Sequence, residues 1–141
     1  MSDYINRPDV RGAFNIPSWV QGFSDCSDSI GDSYLALREG SIWIYHILLG
    51  YSDWYKLLHY SGDTDGAVAT LATRKWIAAQ DWKVTNEWRP WTTDGQLSGY
   101  LEDRGVFTFA TIHGVGHMAP QWKRKDVTEL ISKYVHDQVI N

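Results

Sequence analysis

The chain has 141 residues, 43% of them hydrophobic, and a formal net charge of -4. That length suits one domain with enough apolar material for a core, and the only basic cluster, Lys123 to Lys125, reads as a solvated helix face rather than the broad basic surface a phosphate backbone requires. No apolar run reaches the roughly 18 residues of a membrane span, so neither nucleic acid nor a membrane span is expected. The opening MSDYINRPDV lacks the basic-then-apolar order of a signal peptide, although a chain that had lost its start would lose that signal too.

Eight Trp and eight Tyr are a heavy aromatic load. Such residues either fill a core or line a carbohydrate or peptide cleft, and core is the expectation here. Cys26 is the single cysteine, so it is either a buried thiol or half of a bridge to a partner outside the chain.

Residues 1–40 are polar and broken by Pro8, Gly12, Pro17, Gly22, Gly31 and Gly40, which gives a linker-like segment before the body at 41–141. A short helix is predicted after Pro8, with Asn6 as its cap. The uninterrupted run from Ser41 to Tyr51 predicts a buried helix, capped by Ser41 and stopped by Gly50. Trp54 to Tyr60 reads as a buried strand ended by Ser61-Gly62-Asp63. A helix with a Thr70 cap follows over 70–80, then a Trp-rich strand pair within 82–100 with a turn at Thr92–Gly95.

Val106 to Ile112 alternates β-formers and predicts a second strand ending at Gly114. From Pro120 to about Val139 a helix is predicted, with Val127, Leu130, Ile131, Tyr134 and Val135 on one apolar face. The order strand, helix, hairpin, strand, helix is an α/β pattern of parallel strands with flanking helices. In that class chemistry sits at the carboxyl ends of strands.

The strands at Trp54 to Tyr60 and Val106 to Ile112 each end in a glycine-bearing turn that holds an ionisable residue, HYSGDTDG after the first and HGVGHMAP after the second. Adjacent parallel strands bring such turns to one sheet edge. An Asp there can hold a His in its useful tautomer and stabilise the imidazolium formed when that His takes a proton. In α/β-hydrolases the triad runs Ser, Asp, His along the chain, and Asp65 before His117 fits the last two places.

HYSGDTDG with ATRKWI, the Trp-rich segment and FTFATIHGVGHMAPQ together resemble the end of the serine carboxypeptidases, as do YINRPDVRGAF and WVQGFSDCSD nearer the start. The resemblance runs from residue 4 to about 135 and implies the carboxyl-terminal part of an α/β-hydrolase fold, incomplete in this chain. It implies Asp65 as triad acid, His117 as general base, Met118 beside the leaving-group pocket, and a structural Asp63 bonding turn amides. It implies that Cys26 bridges to an amino-terminal portion that also brings the nucleophilic serine. A peptide substrate, no cofactor, and a secretory, vacuolar or lysosomal setting follow from the same resemblance. The family also contains acyltransferases and hydroxynitrile lyases, and a non-catalytic remnant or aromatic-faced binding module is the remaining alternative. The family's Pro after the acid turn is Ala69 here and WKRK follows Gln121, but neither departure removes the acid or the base.

Other chemistries fit less well. Ser61, Asp63, Asp65 and Gly66 fall on calcium-loop positions, but the place of the bidentate Glu is Ala72. His113 and His117 have the spacing of a helical zinc pair, yet Gly114 and Gly116 oppose a helix and no third ligand is evident. No metal is expected. Gly31-Asp32-Ser33-Tyr34 echoes the nucleophile turn, but an elbow needs a buried strand before it and a small residue two places after the Ser, where Leu35 stands. Ser33 is rejected as nucleophile.

Overall fold

A computed structural model of the chain describes residues 1–37 and 40–141. The chain divides into two compact units, Met1–Ser41 and Ile42–Asn141. The first holds three short helices, α1 (Ser2–Ile5), α2 (Pro8–Ala13) and α3 (Asp28–Ser33). Pro8 opens α2, where its missing N–H costs nothing. Asn6 does not cap α2 as expected. Its side chain instead accepts from Phe23 N at 2.6 Å and donates to Phe23 O at 2.8 Å, tying the start of the chain to residue 23. Cys26 is exposed, so it is not a buried thiol.

The second unit contains α4 (Ile42–Leu49), β1 (Leu57–Gly62), α5 (Thr70–Ala78), β2 (Asn86–Thr93), β3 (Gln96–Arg104), β4 (Phe107–Ile112), α6 (Ala119–Trp122) and α7 (Arg124–Val135). The sheet order is β1-β4-β3-β2. β1 and β4 are parallel, in register from Leu57↔Phe107 to Gly62↔Ile112, and the other two pairings are antiparallel. The expected parallel pair is therefore adjacent, within a mixed sheet. The hairpin turns at Asp94 and Gly95, whose φ of 52° and 72° suit the turn that follows strand twist. Pro90 lies in β2, an edge strand, where a missing N–H is tolerated. β1 is the opposite edge, with no strand on its outer side among the described residues.

Every residue of β4 is buried, as a strand covered on both faces should be. Its side chains alternate. Ala110 and Ile112 join Trp91, Leu101, Val115, Ala119, Val127 and Leu130 on the α6–α7 face. Phe107 and Phe109 join Ile77 on the other, where Tyr45 and Leu49 of α4 and an aromatic group of Trp76, Trp82 and Trp88 pack. Trp91 is wholly buried, and its indole Nε1 donates to Thr111 O at 3.1 Å. Gly99 makes room for that crossing, since a Cβ there would stand 1.8 Å from Thr111 O and 2.8 Å from Trp91 Nε1.

Several expected elements differ. Trp54 and Tyr55 precede β1 and are exposed, because pairing begins only at Leu57 opposite Phe107. α4 has no buried residue, and Trp43, Ile44 and Ile47 are open. Four of the eight tryptophans, Trp19, Trp43, Trp54 and Trp122, are exposed rather than core. Thr70 is the first helical residue of α5 rather than its cap, which is Ala69. The carboxyl-terminal helix breaks at Lys123, with φ -121° and ψ 48°, and ends at Val135 rather than Val139. Beyond it the chain is drawn to the hairpin, where Asn141 O accepts from Thr92 N at 2.9 Å. Lys56 helps hold that exit through Tyr134 O at 2.6 Å and the Asp137 carboxylate. No described helix is long and apolar enough to cross a membrane.

Trp91→Ala is expected to cost about 3–5 kcal/mol of unfolding free energy. Urea unfolding checks this: the midpoint should fall with the slope unchanged.

Candidate active site

The last register pair of the parallel strands is Gly62↔Ile112, so the residues leaving the sheet side by side are Asp63 and His113. Asp63 N donates to Ile112 O at 3.0 Å and Thr64 N to Val115 O at 3.1 Å, which laces the two turns together. Gly62 is required for this approach, because a Cβ there would stand 2.2 Å from Val115 O and 2.4 Å from Gly116 O. Behind the turn, Thr70 Oγ1 donates to Gly62 O at 2.5 Å and lies 2.6 Å from Ser61 Oγ. The start of α5 is thereby fixed to the end of β1.

Asp65 and His117 meet. His117 Nδ1 lies 3.0 Å from Asp65 Oδ2, while Asp65 Oδ1 accepts from Ala67 N at 2.7 Å and Val68 N at 3.0 Å. The Asp65 side chain is only 5% exposed, whereas that of His117 is 58% exposed. The hydrogen bond from His117 holds the Asp65 carboxyl below its ordinary value, and the amides of Val68 and Ala67 add to this against the opposing effect of desolvation. An ionised Asp65 has no proton to give, so His117 Nδ1 carries the hydrogen, and in the neutral imidazole Nε2 presents a lone pair. The arrangement can accept a proton at Nε2 and stabilise the resulting cation from behind.

A cleft of about 250 Å³ adjoins this pair, lined by His59, Ser61 and Gly62 of β1 and by Asp65, His117 and Ala119. His59 is partly buried among Tyr45, Trp76, Phe107 and Phe109, with its Nδ1 3.0 Å from Tyr45 Oη, and burial pushes its pKa below the ordinary histidine value. Ser61, the serine lining the cleft, is engaged with Thr70. A larger groove, about 540 Å³, lies in the first unit beside Cys26 and brings together no acid and base.

Met118 follows His117 at the start of α6 and is exposed, but it does not line the cleft. Ser33 closes α3 and donates its hydroxyl to Ser29 O at 2.6 Å, a helix-end position rather than an elbow after a strand. The two acids of the calcium-like spacing point to different histidines. Asp63 Oδ2 lies 2.8 Å from His113 Nδ1, and Asp63 Oδ1 accepts from Gly114 N at 2.8 Å. Sequence reasoning weighed His113 only as a zinc ligand. The available signal was the parallel register, which makes the first residue beyond each strand a neighbour of the other.

A parallel strand pair with an acid turn and a histidine turn at one edge, covered by helices on both faces, defines this architecture as part of an α/β-hydrolase. The fold superposes with a TM-score of 0.68 on the prohormone-processing carboxypeptidase Kex1Δp of Saccharomyces cerevisiae, at 20% identity, over 96% of this chain and 31% of that one. A family model described as serine carboxypeptidase matches residues 1–137. Serine carboxypeptidase-like 31 of Arabidopsis thaliana is 32% identical over 134 residues, which are 94% of this chain and 27% of that protein. Serine carboxypeptidase 1 of Hordeum vulgare is 36% identical over 112 residues, or 78% of this chain and 21% of that protein. The chain belongs to the serine carboxypeptidase family. It spans about a quarter of the length of the curated relatives it matches.

Because the Asp65 carboxyl is depressed in the folded state, its ionised form adds stability above the ordinary carboxylate range, and that stability is lost as pH falls through the depressed value. The acid limb of stability, followed as the urea midpoint from neutrality downward, should therefore flatten in Asp65→Asn. An unchanged limb would remove Asp65 as its source.

Proposed function

We propose that this chain supplies the acid and the base, Asp65 and His117, of a Ser-Asp-His triad in a serine-type carboxypeptidase. The observation that carries the reading is the 3.0 Å contact between a shielded Asp65 and an exposed His117 beside a cleft. In this reading a serine from the remaining portion attacks the carbonyl of a substrate's last peptide bond, and His117 Nε2 takes the serine proton. Asp65 stabilises the imidazolium, which then protonates the departing amino acid. Water repeats the sequence on the acyl-enzyme and frees the serine.

The remaining portion would also bring the oxyanion donors and the site for the substrate's terminal carboxylate. Three features support the need for it: the outer edge of β1, the open apolar side of α4, and the exposed Cys26. Cys26 would bridge to that portion, and Met118 would border the leaving-group pocket. The relatives are named as serine carboxypeptidases, which agrees with this chemistry. A secretory, vacuolar or lysosomal site of action goes with the same reading.

In the complete enzyme, His117→Ala and Asp65→Ala should each lower turnover of a carboxyl-terminal peptide substrate by roughly 10⁴-fold. Release of the terminal amino acid is the quantity to follow, and unchanged turnover in either variant would refute the assignment.

A further inference from the structure

We propose that the Asp63–His113 pair is a positioning clamp that holds the turn bearing His117 in register with the turn bearing Asp65. The inference rests on Asp65 and His117 acting as acid and base.

Three consecutive residues after β4 are tethered to the acid turn. The His113 ring contacts Asp63 Oδ2 at 2.8 Å, Gly114 N donates to Asp63 Oδ1 at 2.8 Å, and Val115 O accepts from Thr64 N at 3.1 Å. One carboxylate therefore secures two successive residues of the other turn. Only Gly116 separates the last tether from His117. Gly114 has a φ of 71°, and the two glycines give the segment little stiffness of its own. Cross-links, rather than backbone preference, must then set where the imidazole of His117 lies. A proton-transfer group has to be held to within about 0.5 Å.

The clamp is separate from the proton path. Neither Asp63 nor His113 lines the cleft beside Asp65 and His117. Their side chains are 31% and 54% exposed, so a contact between them adds little to global stability. A contact that is cheap to lose in stability but sits within the turn of the base, four residues before His117, is placed to affect alignment. Alignment errors of about 1 Å can cost on the order of 10²-fold in rate.

The test compares His113→Ala with His113→Asn, whose Nδ2 can take the place of the ring Nδ1. In the full chain, histidine side-chain NMR reads the His117 Nδ1 proton bonded to Asp65. Its exchange with solvent should quicken about tenfold in H113A and return toward wild type in H113N. In the complete enzyme, kcat should fall about 10- to 100-fold in H113A with KM unchanged, and recover in H113N. Melting midpoints should move little. An unaltered His117 proton and kcat in H113A would overturn the proposal. So would rate and melting falling together in both variants, since that marks a structural role only. H113F is the second variant if H113A does not fold. If H117A leaves turnover intact while H113A still loosens the His117 proton, the acid–base reading fails and takes the clamp's effect on rate with it, while its hold on the turn stands.

Discussion

The site depends on one close approach of backbones. At the end of β1, Gly62 faces the carbonyls of Val115 and Gly116 so tightly that a methyl group would overlap both. That contact lets the turn after β4 fold back across the turn after β1. The lacing bonds from Asp63 N and Thr64 N follow from the same approach. So does the division of labour in Asp65, with one oxygen fixed by turn amides and the other left for the imidazole.

The rest of the second unit holds those two strands still. β4 is buried on both faces and flanked by β1 and β3, so the histidine turn grows from the best-covered strand of the sheet. Trp91 pins the hairpin to β4 through Thr111 O, two residues before the turn. Thr70 pins α5 to Gly62 on the acid side. On the acid side, the outer edge of β1 and the apolar residues Trp43, Ile44 and Ile47 of α4 stay open.

Much of this was legible in the sequence, because strand ends and their turns are local. β-formers from Val106 to Ile112, the Thr92–Gly95 turn and the two glycine-bearing turns identified a parallel pair, a hairpin and the residues that meet. Less legible was whatever depends on partners far along the chain. α7 ends at Val135, and the chain beyond it is tied to the hairpin through Asn141, a long-range contact that helix propensity does not register. Asn6 bonds Phe23 because the backbone of that residue offers both a donor and an acceptor. The exposed tryptophans show that composition counts aromatic side chains without saying which have a surface to cover them. The Asp63–His113 pair was hidden because each residue had a plausible local reading, and only the register relates them.

On the proposed reading, the proton-handling half of the site lies in these residues and the nucleophile outside them. Labelling the recombinant complete protein with a serine-directed fluorophosphonate, followed by mapping of the modified peptide, tests this most directly. The label is expected on a serine outside residues 1–141, at a rate that collapses in His117→Ala. A label on a serine of this chain, Ser33 included, or labelling indifferent to His117, would contradict it.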